Sequence, residues 1–457
     1  MLLLSTSPKL PRRQLLILPP LVLLAIIYFY LNTRQSWRYS TDLGNGSLAS
    51  PRHPSKLWRS FAPILEVTAP KCSPPIAFQN GKAFSAHPSE SREDFNMSKA
   101  EIACLHRSHT LFVDLVNFGA PRLDFKKGTK GLATLAAKSG FPVLLTNIFM
   151  LRRTGSALLL EVFLETEDDY EPNMCEVVLP RWNATCIVLS SLIGASSQSF
   201  KLAGADLWPF ALLFSSFESV LFLGAGTFLV RSPDALFDSD PFMRTGLVTW
   251  PSMKYASFPG QSFELFGLDS DISSHLRAND NRQILLSKKQ HAVTLFMATY
   301  HSIYHAYYGP LINELDFVSS AAAIMKIPFY QVDHHPRQLG NSSATSATLQ
   351  FDASPDFNCT ESCKPAVMFV HTNWLSPESG LSTTMEVFER LWGSEEECRD
   401  LYWQDIEGSA WASVTSAFCN RETVCYDYNV CFQAIARLST VFGSSNMKDF
   451  GSKEISS

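Results

Sequence analysis

An apolar run that ends in a glycine turn constrains the fold of this chain more than any other feature. Residues 220–223 read VLFL, the turn at 224–226 reads GAG, and a second apolar stretch, Phe228–Val230, follows. An uninterrupted apolar run of this kind is typical of a strand that is buried on both faces. Such strands belong mainly to α/β proteins with a largely parallel sheet.

Strand and helix patterns alternate around this run. The alternation predicts one α/β domain between about residues 130 and 375, with Val220–Leu223 as a central strand. Because ligands of such sheets bind beyond the carboxyl ends of strands, we expect Gly224 to border the main cleft. The patterned segments are residues 131–155 (strand, then helix), 157–164 (strand), 186–192 (strand) and 207–217 (helix).

An uncharged apolar run of 17 residues occupies positions 15–31. This length is at the lower edge of what spans a bilayer. A cleaved signal peptide is the alternative, but its apolar core is usually shorter and no clear cleavage site follows the run. We therefore expect residues 1–14 to be a cytoplasmic tail and residues 15–31 an uncleaved signal anchor. Either interpretation places the rest of the chain in the secretory lumen.

Sequons and cysteines agree with a lumenal location. The ten cysteines make disulfides plausible there, although their connectivity cannot be read from the sequence. Cys175 and Cys186 flank one short segment. Zinc binding is the weaker interpretation, because no repeated Cys-x-x-Cys or paired His-x-His accompanies the cysteines. The sequons are Asn45, Asn96, Asn183, Asn341 and Asn358.

Composition divides the lumenal part into two regions. Residues 32–100 are rich in Ser, Pro and other polar residues, which predicts a stem or linker. Residues 101–457 form a globular region with a cysteine-rich C-terminal part. The formal charge of −5, without a basic block, argues against a nucleic-acid partner.

Several stretches of the globular region carry a family resemblance. They are FPVLLTNIFMLRRTGSALLLEVFL, CEVVLPRWNATCIVL, FALLFSSFESVLFLGAGTFLVRSPDALFDSDPFMRTGLVTWPS, NRQILLSKKQHAVTLFMATYH and MFVHTNW. Together they resemble the fungal Golgi α-1,3- and α-1,2-mannosyltransferases, glycosyltransferase family 71. The resemblance covers about residues 125–375.

This resemblance implies a GT-A-type, Rossmann-like nucleotide-sugar-binding domain in a single-pass type II Golgi membrane protein. It implies GDP-mannose as the donor, Mn²⁺ as the cation and a glycan or mannoprotein as the acceptor. Other mannosyltransferases are possible partners.

The chain departs from the family pattern at polar positions. The family shows Leu-Asp-Ala-Asp after the strand, whereas this chain has Leu223 followed by Gly224-Ala225-Gly226. Asp-x-Asp carboxylates hold a divalent cation, and glycine offers no side-chain oxygen. We therefore expect Mn²⁺-dependent transfer to be weak or absent. We expect Gly224→Asp with Gly226→Asp to raise it, provided that His371 and a carboxylate near Asp316 line the cleft. The acidic residue usual after Trp-Pro is also missing, since Ser252 stands there.

Two glycines of the turn and two polar residues after a later apolar run are candidates for donor binding. Gly224 and Gly226 allow a tight turn whose N–H groups face a phosphate, and the alternative is a turn without function. His371, at the end of an apolar run, is a candidate metal ligand or diphosphate contact. Asn373 follows it closely. The alternative for His371 is a structural histidine.

Charged candidates lie elsewhere in the sequence. Lys288 and Lys289 are candidates for a positive charge on the donor phosphates, and solvated lysines are the alternative. Glu314 and Asp316 loosely match the family's acidic stretch and are candidates for the general base that acts on the acceptor hydroxyl, and solvated loop carboxylates are the alternative. The literal Asp-x-Asp at 269–271 lies in a polar stretch that predicts a solvated loop.

Two functions from different classes follow. The first is a mannosyltransferase that extends glycans. The second is a non-catalytic family member that keeps the fold and binds glycan or a partner enzyme.

Overall fold

Strands and helices alternate along most of the chain in a computed structural model. It divides into two units, Met1–Leu48 and Ala49–Ser457, and every described residue belongs to the second. The described residues are 55–75, 97–194, 207–255, 260–268, 277–312, 317–340, 347–355, 366–372, 390, 392, 405–419 and 428–442.

Helices and strands account for most of the described residues. The helices are α1 Lys56–Val67, α2 Lys99–Gly119, α3 Phe141–Arg153, α4 Leu179–Arg181, α5 Leu189–Ile193, α6 Trp208–Phe214, α7 Asp240–Thr245, α8 Gly260–Phe266, α9 Ala292–Ile303, α10 His305–Tyr308, α11 Phe317–Ile324, α12 Ile406–Cys419 and α13 Tyr428–Phe442. The strands are β1 Lys126–Ala136, β2 Leu160–Leu164, β3 Ala184–Val188, β4 Phe217–Leu223, β5 Thr227–Leu229, β6 Leu247–Tyr255, β7 Arg277–Ser287, β8 Tyr330–Gln331, β9 Arg337–Leu339, β10 Ala347–Phe351 and β11 Val367–Thr372.

The main sheet has seven described strands in the order β3-β2-β1-β4-β7-β6-β8. The first four of these are parallel to one another, and β8 is parallel to β6. Among the described strands of this sheet, β7 alone runs antiparallel to both of its neighbours. The prediction of an α/β domain with a largely parallel sheet is confirmed, and Val220–Leu223 lies in β4 at its centre.

Apolar composition explains where β4 and α3 lie. All four residues of Val220–Leu223 are buried, as are residues 141–151 of α3, which packs against α12. Helix α3 ends with two arginines, where positive charge suits the helix dipole. Gly155 follows at φ 85°, a conformation that glycine adopts without steric cost.

A second, antiparallel sheet starts directly from the glycine turn. Its order is β5-β11-β10-β9, and β5 begins four residues after the end of β4. Phe228, Val370 and Leu349 of this sheet share a hydrophobic core with Trp411 of α12. This packing fixes β11, and with it His371, beside the end of β4.

Helix α1 lies inside the segment 32–100, where composition predicts a stem. Its Trp58 and Phe61 are fully buried. The hydroxyl of Tyr304 donates to the Leu65 carbonyl at 2.7 Å, and that of Tyr300 donates to the Thr68 carbonyl at 2.9 Å. The structure therefore differs from the stem expectation here, because α1 packs against the globular region through buried aromatic and hydrogen-bonding contacts.

Disulfides join described cysteines in three places: Cys72–Cys104, Cys175–Cys186 and Cys419–Cys431. The second of these closes the short segment after β2 that contains α4 and ends inside β3. No described helix has the length and apolar character needed to cross a bilayer. Residues 15–31 lie outside the described residues, so the signal anchor stays a prediction.

Candidate active site

The turn Gly224–Gly226 lies at the carboxyl end of β4, and the side chain at its tip, Ala225, is exposed. The amide N–H of Gly224 donates to the carbonyl of Arg282 on β7 at 2.7 Å. A Cβ added to Gly224 would lie 3.1 Å from the Cα and 3.3 Å from the Cβ of Arg282. Gly226 has φ 70°, which favours glycine. The close approach of Arg282 explains why glycine suits position 224, and the positive φ explains why it suits position 226.

Strand β11 brings His371 to this turn. His371 pairs with Thr227 across β11 and β5, and its Nδ1 lies 3.0 Å from the Thr227 Oγ1. The next residue, Thr372, donates its amide N–H to the Gly226 carbonyl at 3.2 Å. Burial lowers the pKa of His371 to about 3, although nearby Asp280 opposes this shift. The imidazole is therefore neutral near pH 7.

Asp280 on β7 faces His371 from the main sheet. Its Oδ2 lies 3.5 Å from the His371 Nε2, which is an electrostatic contact and not a well-formed hydrogen bond. Arg282 binds the same carboxylate twice, with Nε 2.8 Å from Oδ1 and Nη2 2.7 Å from Oδ2. Burial raises the pKa of Asp280, but His371 and Arg282 outweigh it and hold that pKa well below its usual range. Because the imidazole is neutral near pH 7, Arg282 supplies the lasting positive charge.

Further polar atoms at this end of the sheets are buried without a hydrogen-bond partner among the described residues. They include both amide atoms of Gln283, the Oε1 of Gln350 and the Oγ1 of Thr372. The Nε2 of Gln350 lies 3.4 Å from the Asp280 Oδ2, so this glutamine belongs to the same neighbourhood. An unpaired buried polar atom costs about 1–3 kcal/mol. Buried polar atoms of this kind are usually completed by ordered water or a polar ligand.

We refer to Gly224, Thr227, Asp280, Arg282 and His371 as the strand-end cluster. Mn²⁺ and Mg²⁺ prefer several hard oxygen ligands. The cluster has one carboxylate, and Arg282 already binds it through two hydrogen bonds. In the part of the chain that the structure describes, no three His, Cys, Asp or Glu side chains come together as a metal site. The described residues therefore do not fit a hard divalent cation.

Lys288 and Lys289 lie at the opposite end of β7. Ser287, the last residue of that strand, pairs with Ser219 near the start of β4. The Nζ of Lys288 is buried and donates to three backbone carbonyls, whereas Lys289 is exposed. The structure does not bring either lysine to Gly224, which corrects the expectation of a donor-phosphate contact for Lys288. The three carbonyls are those of Asp124, Leu213 and Ser215, at 3.1, 2.8 and 2.6 Å.

Of the remaining candidate residues, the structure describes Asn183 alone. Asn183 is exposed at φ 52° in the turn before β3, and a glycan on it stays a prediction. The candidates outside the described residues are Glu314, Asp316, Asn373, the Asp-x-Asp at 269–271, and the sequons Asn45, Asn96, Asn341 and Asn358.

Sequence reasoning missed Asp280, Arg282 and Gln283. Residues 277–281, RANDN, end a polar stretch that predicts a solvated loop, yet they form the first part of β7. The available signal was the apolar run Ile284–Leu286 directly after them. Because β7 runs antiparallel to β4, its polar first half lies at the carboxyl end of β4, where ligands bind.

Comparison with known proteins confirms the resemblance to fungal mannosyltransferases. Residues 129–282 match the family model described as "Mannosyltransferase putative". The Alpha-1,2-mannosyltransferase MNN24 of Candida albicans is 29% identical over 292 residues, which cover 53% of this chain and 41% of that protein. The Alpha-1,2-mannosyltransferase MNN5 of Saccharomyces cerevisiae is 24% identical over 299 residues, which cover 52% of this chain and 51% of that protein. The chain thus spans about half or less of the length of these relatives.

Similarity to solved structures is weaker. The glycosyltransferase GlyE of Streptococcus pneumoniae has a TM-score of 0.30 and 13% identity, with 45% of this chain and 46% of that chain covered. Mouse xyloside xylosyltransferase 1 has a TM-score of 0.29 and 12% identity, with 45% and 85% covered. At these TM-scores the likeness carries no argument about the site.

Proposed function

We propose that this chain, which carries the mannosyltransferase family signature over residues 129–282, transfers mannose from GDP-mannose to a glycan or mannoprotein. The observation that carries the proposal is the strand-end cluster, with the unpaired buried polar atoms beside it. Ligands of open α/β sheets bind at this end of the strands. The family match extends from β1 to Arg282 and so includes most of the cluster.

The chemistry of the cluster suits a sugar nucleotide. The Gly224–Gly226 turn has no bulky side chain, so an anionic diphosphate is able to approach its backbone. Arg282 offers charged N–H donors, and the Asp280 carboxylate holds the guanidinium by two hydrogen bonds. Neutral His371 is hydrogen-bonded to Thr227 and lies against this carboxylate. Groups that suit an anionic diphosphate therefore meet at one strand end.

The proposal includes a type II topology with the enzyme domain in the Golgi lumen. Disulfides such as Cys175–Cys186 support it, because they persist mainly in oxidising compartments. N-terminal sequencing of the mature protein tests the anchor. A mature chain that begins at about residue 35 would instead indicate a cleaved signal peptide.

Activity is tested with the purified full chain, GDP-mannose and a mannoside acceptor. We expect release of GDP and a mannosylated product, and no product when UDP-glucose replaces the donor. A chain that neither transfers mannose nor binds GDP contradicts the proposal. Glycan binding without transfer or GDP binding would favour the non-catalytic alternative.

A further inference from the structure

The positive charge at the strand-end cluster belongs to a side chain and not to a metal site. Arg282 lies directly against the glycine turn, because a Cβ on Gly224 would be 3.3 Å from both its Cβ and its Cγ. The stem of the arginine therefore covers the space that a side chain at position 224 would need. The single carboxylate of the cluster is already occupied by this arginine, so the described residues do not fit a hard divalent cation.

We propose that Arg282 takes the place of a divalent cation, with its guanidinium binding the diphosphate of the donor so that transfer needs no metal. The inference rests on the proposed function and identifies the group that holds the leaving diphosphate.

The geometry of the guanidinium supports this role. Arginine has five N–H donors in a planar fork that matches phosphate oxygens. Two of these donors bind Asp280. The side chain of Arg282 is 38% exposed, whereas that of Asp280 is only 7% exposed. One edge of the guanidinium is thus fixed on a buried carboxylate, while more than a third of the arginine side chain stays exposed to solvent.

Asp280 acts as the positioning residue. Because it holds Arg282 by two hydrogen bonds, little conformational freedom remains to be lost when a phosphate binds. A divalent cation that used Asp280 as a ligand would have to displace this arginine. Two cations, the guanidinium and the metal ion, would then share one carboxylate and repel each other. The pair therefore favours phosphate binding by Arg282 over metal binding by Asp280.

The charge acts on the leaving group. During transfer, the bond between mannose C1 and the β-phosphate oxygen breaks, and its electron pair leaves with GDP. The acceptor hydroxyl oxygen forms the new bond to C1 and releases its proton to solvent. Negative charge increases on the diphosphate, where a fixed guanidinium stabilises it as a Lewis-acidic metal would.

The first test uses the full chain with GDP-mannose and a mannoside acceptor, in EDTA or in Mn²⁺. We expect the same initial rate in both conditions. Activity that EDTA abolishes and Mn²⁺ restores would overturn the metal-independent role, while the mannosyltransferase assignment would stand. Absence of both transfer and GDP binding in the two conditions contradicts the proposed function itself.

The second test uses Arg282→Gln, which keeps an amide donor for Asp280 but removes the charge. We expect kcat/KM to fall about 100-fold. In EDTA, GDP should bind about tenfold more weakly, with a smaller change for GMP, because only GDP presents a diphosphate. Arg282→Lys keeps the charge without the fork. Its kcat/KM and its GDP affinity should lie between those of wild type and Arg282→Gln.

The matched control is Arg59→Met, which removes an exposed arginine from α1. It should leave kcat/KM and GDP affinity unchanged. Thermal unfolding establishes that each variant is folded. Unchanged GDP affinity in a folded Arg282→Gln variant overturns the inference. Equal GDP binding by the Lys variant and wild type would overturn the role of the fork.

Discussion

The Nε2 of His371 lies 3.5 Å from the Oδ2 of Asp280, and this contact joins the antiparallel sheet to the main sheet. On its other side, the Nδ1 of His371 lies 3.0 Å from the Thr227 Oγ1. Because Asp280 also holds Arg282, the imidazole supports the guanidinium indirectly. The position of β11 is therefore coupled to the charge beside the glycine turn.

Substitution His371→Phe tests this coupling. The variant keeps an aromatic ring, although a larger one, and leaves the Thr227 hydroxyl and the Asp280 carboxylate without their nitrogen neighbours. We expect the free energy of unfolding to fall by about 1–3 kcal/mol, measured by urea denaturation. His371→Asn has an amide that is able to bond Thr227, so its free energy of unfolding should decrease less. Equal stability of His371→Phe and wild type would show that the contact has no structural role.

Lys288→Met should destabilise the fold, because three buried carbonyls lose their shared donor. We expect a loss of about 2–4 kcal/mol in the free energy of unfolding. Lys289→Met is the matched control, since Lys289 is adjacent and exposed. It should unfold like wild type. If both variants are as stable as wild type, the buried ammonium does not hold these segments together.

Acid should destabilise the protein through a buried histidine pair. His109 and His301 stack with ring centroids 6.0 Å apart, and both are buried. Burial lowers the pKa of His109 to about 3 and that of His301 well below its usual value. Since an unfolded histidine titrates near pH 6.5, only the unfolded chain takes up these protons as the pH falls below that value. Stability should therefore be full above pH 6.5 and decrease by up to about 1.4 kcal/mol per pH unit for each histidine below it.

Urea denaturation at pH 7 and pH 5 checks this expectation. His301→Phe removes one of the two groups, so its pH dependence should be weaker than that of wild type by up to about one proton. Tyr308 and Phe266 pack against this ring and should accommodate an aromatic replacement. An unchanged pH dependence would exclude the buried pair as its source.

Restoring two carboxylates to the glycine turn should not create metal-dependent activity, although the sequence pattern alone predicts a gain. A Cβ at position 224 would meet the Arg282 Cα at 3.1 Å, and Gly226 has φ 70°. We expect Gly224→Asp with Gly226→Asp to lower the free energy of unfolding by about 1–3 kcal/mol.

The control for this double variant is Ala225→Asp, which adds a carboxylate at the exposed tip and should unfold like wild type. Activity is measured with and without Mn²⁺ for all three proteins. A clear Mn²⁺-dependent increase in the double variant would contradict this expectation and support a metal site that has lost its ligands.

The sequence is most informative where burial alone decides structure. It predicts β4 and α3 because their apolar residues form continuous runs, and such runs are buried whatever their neighbours are. It does not predict helix α1, because polar and proline-rich flanks surround a short segment that becomes stable only when Trp58 and Phe61 pack on the domain.

The candidate site is predictable only in part. His371 stands out in the sequence because it ends an apolar strand. Asp280 and Arg282 do not, since polar residues at the start of β7 resemble a loop until strand pairing brings them to the glycine turn. The prediction that Lys288 contacts the donor phosphates is wrong, because the sequence does not distinguish a lysine that donates to buried backbone carbonyls from one that is free to bind a ligand.

The most direct measurement is a crystal structure of the protein with GDP bound in the presence of EDTA. We predict a diphosphate beside the Gly224–Gly226 turn, within hydrogen-bonding distance of the Arg282 guanidinium and without a metal ion. GDP bound at the opposite end of the sheet near Lys289, or a diphosphate at the turn that makes no contact with Arg282, would contradict the metal-free role of this arginine.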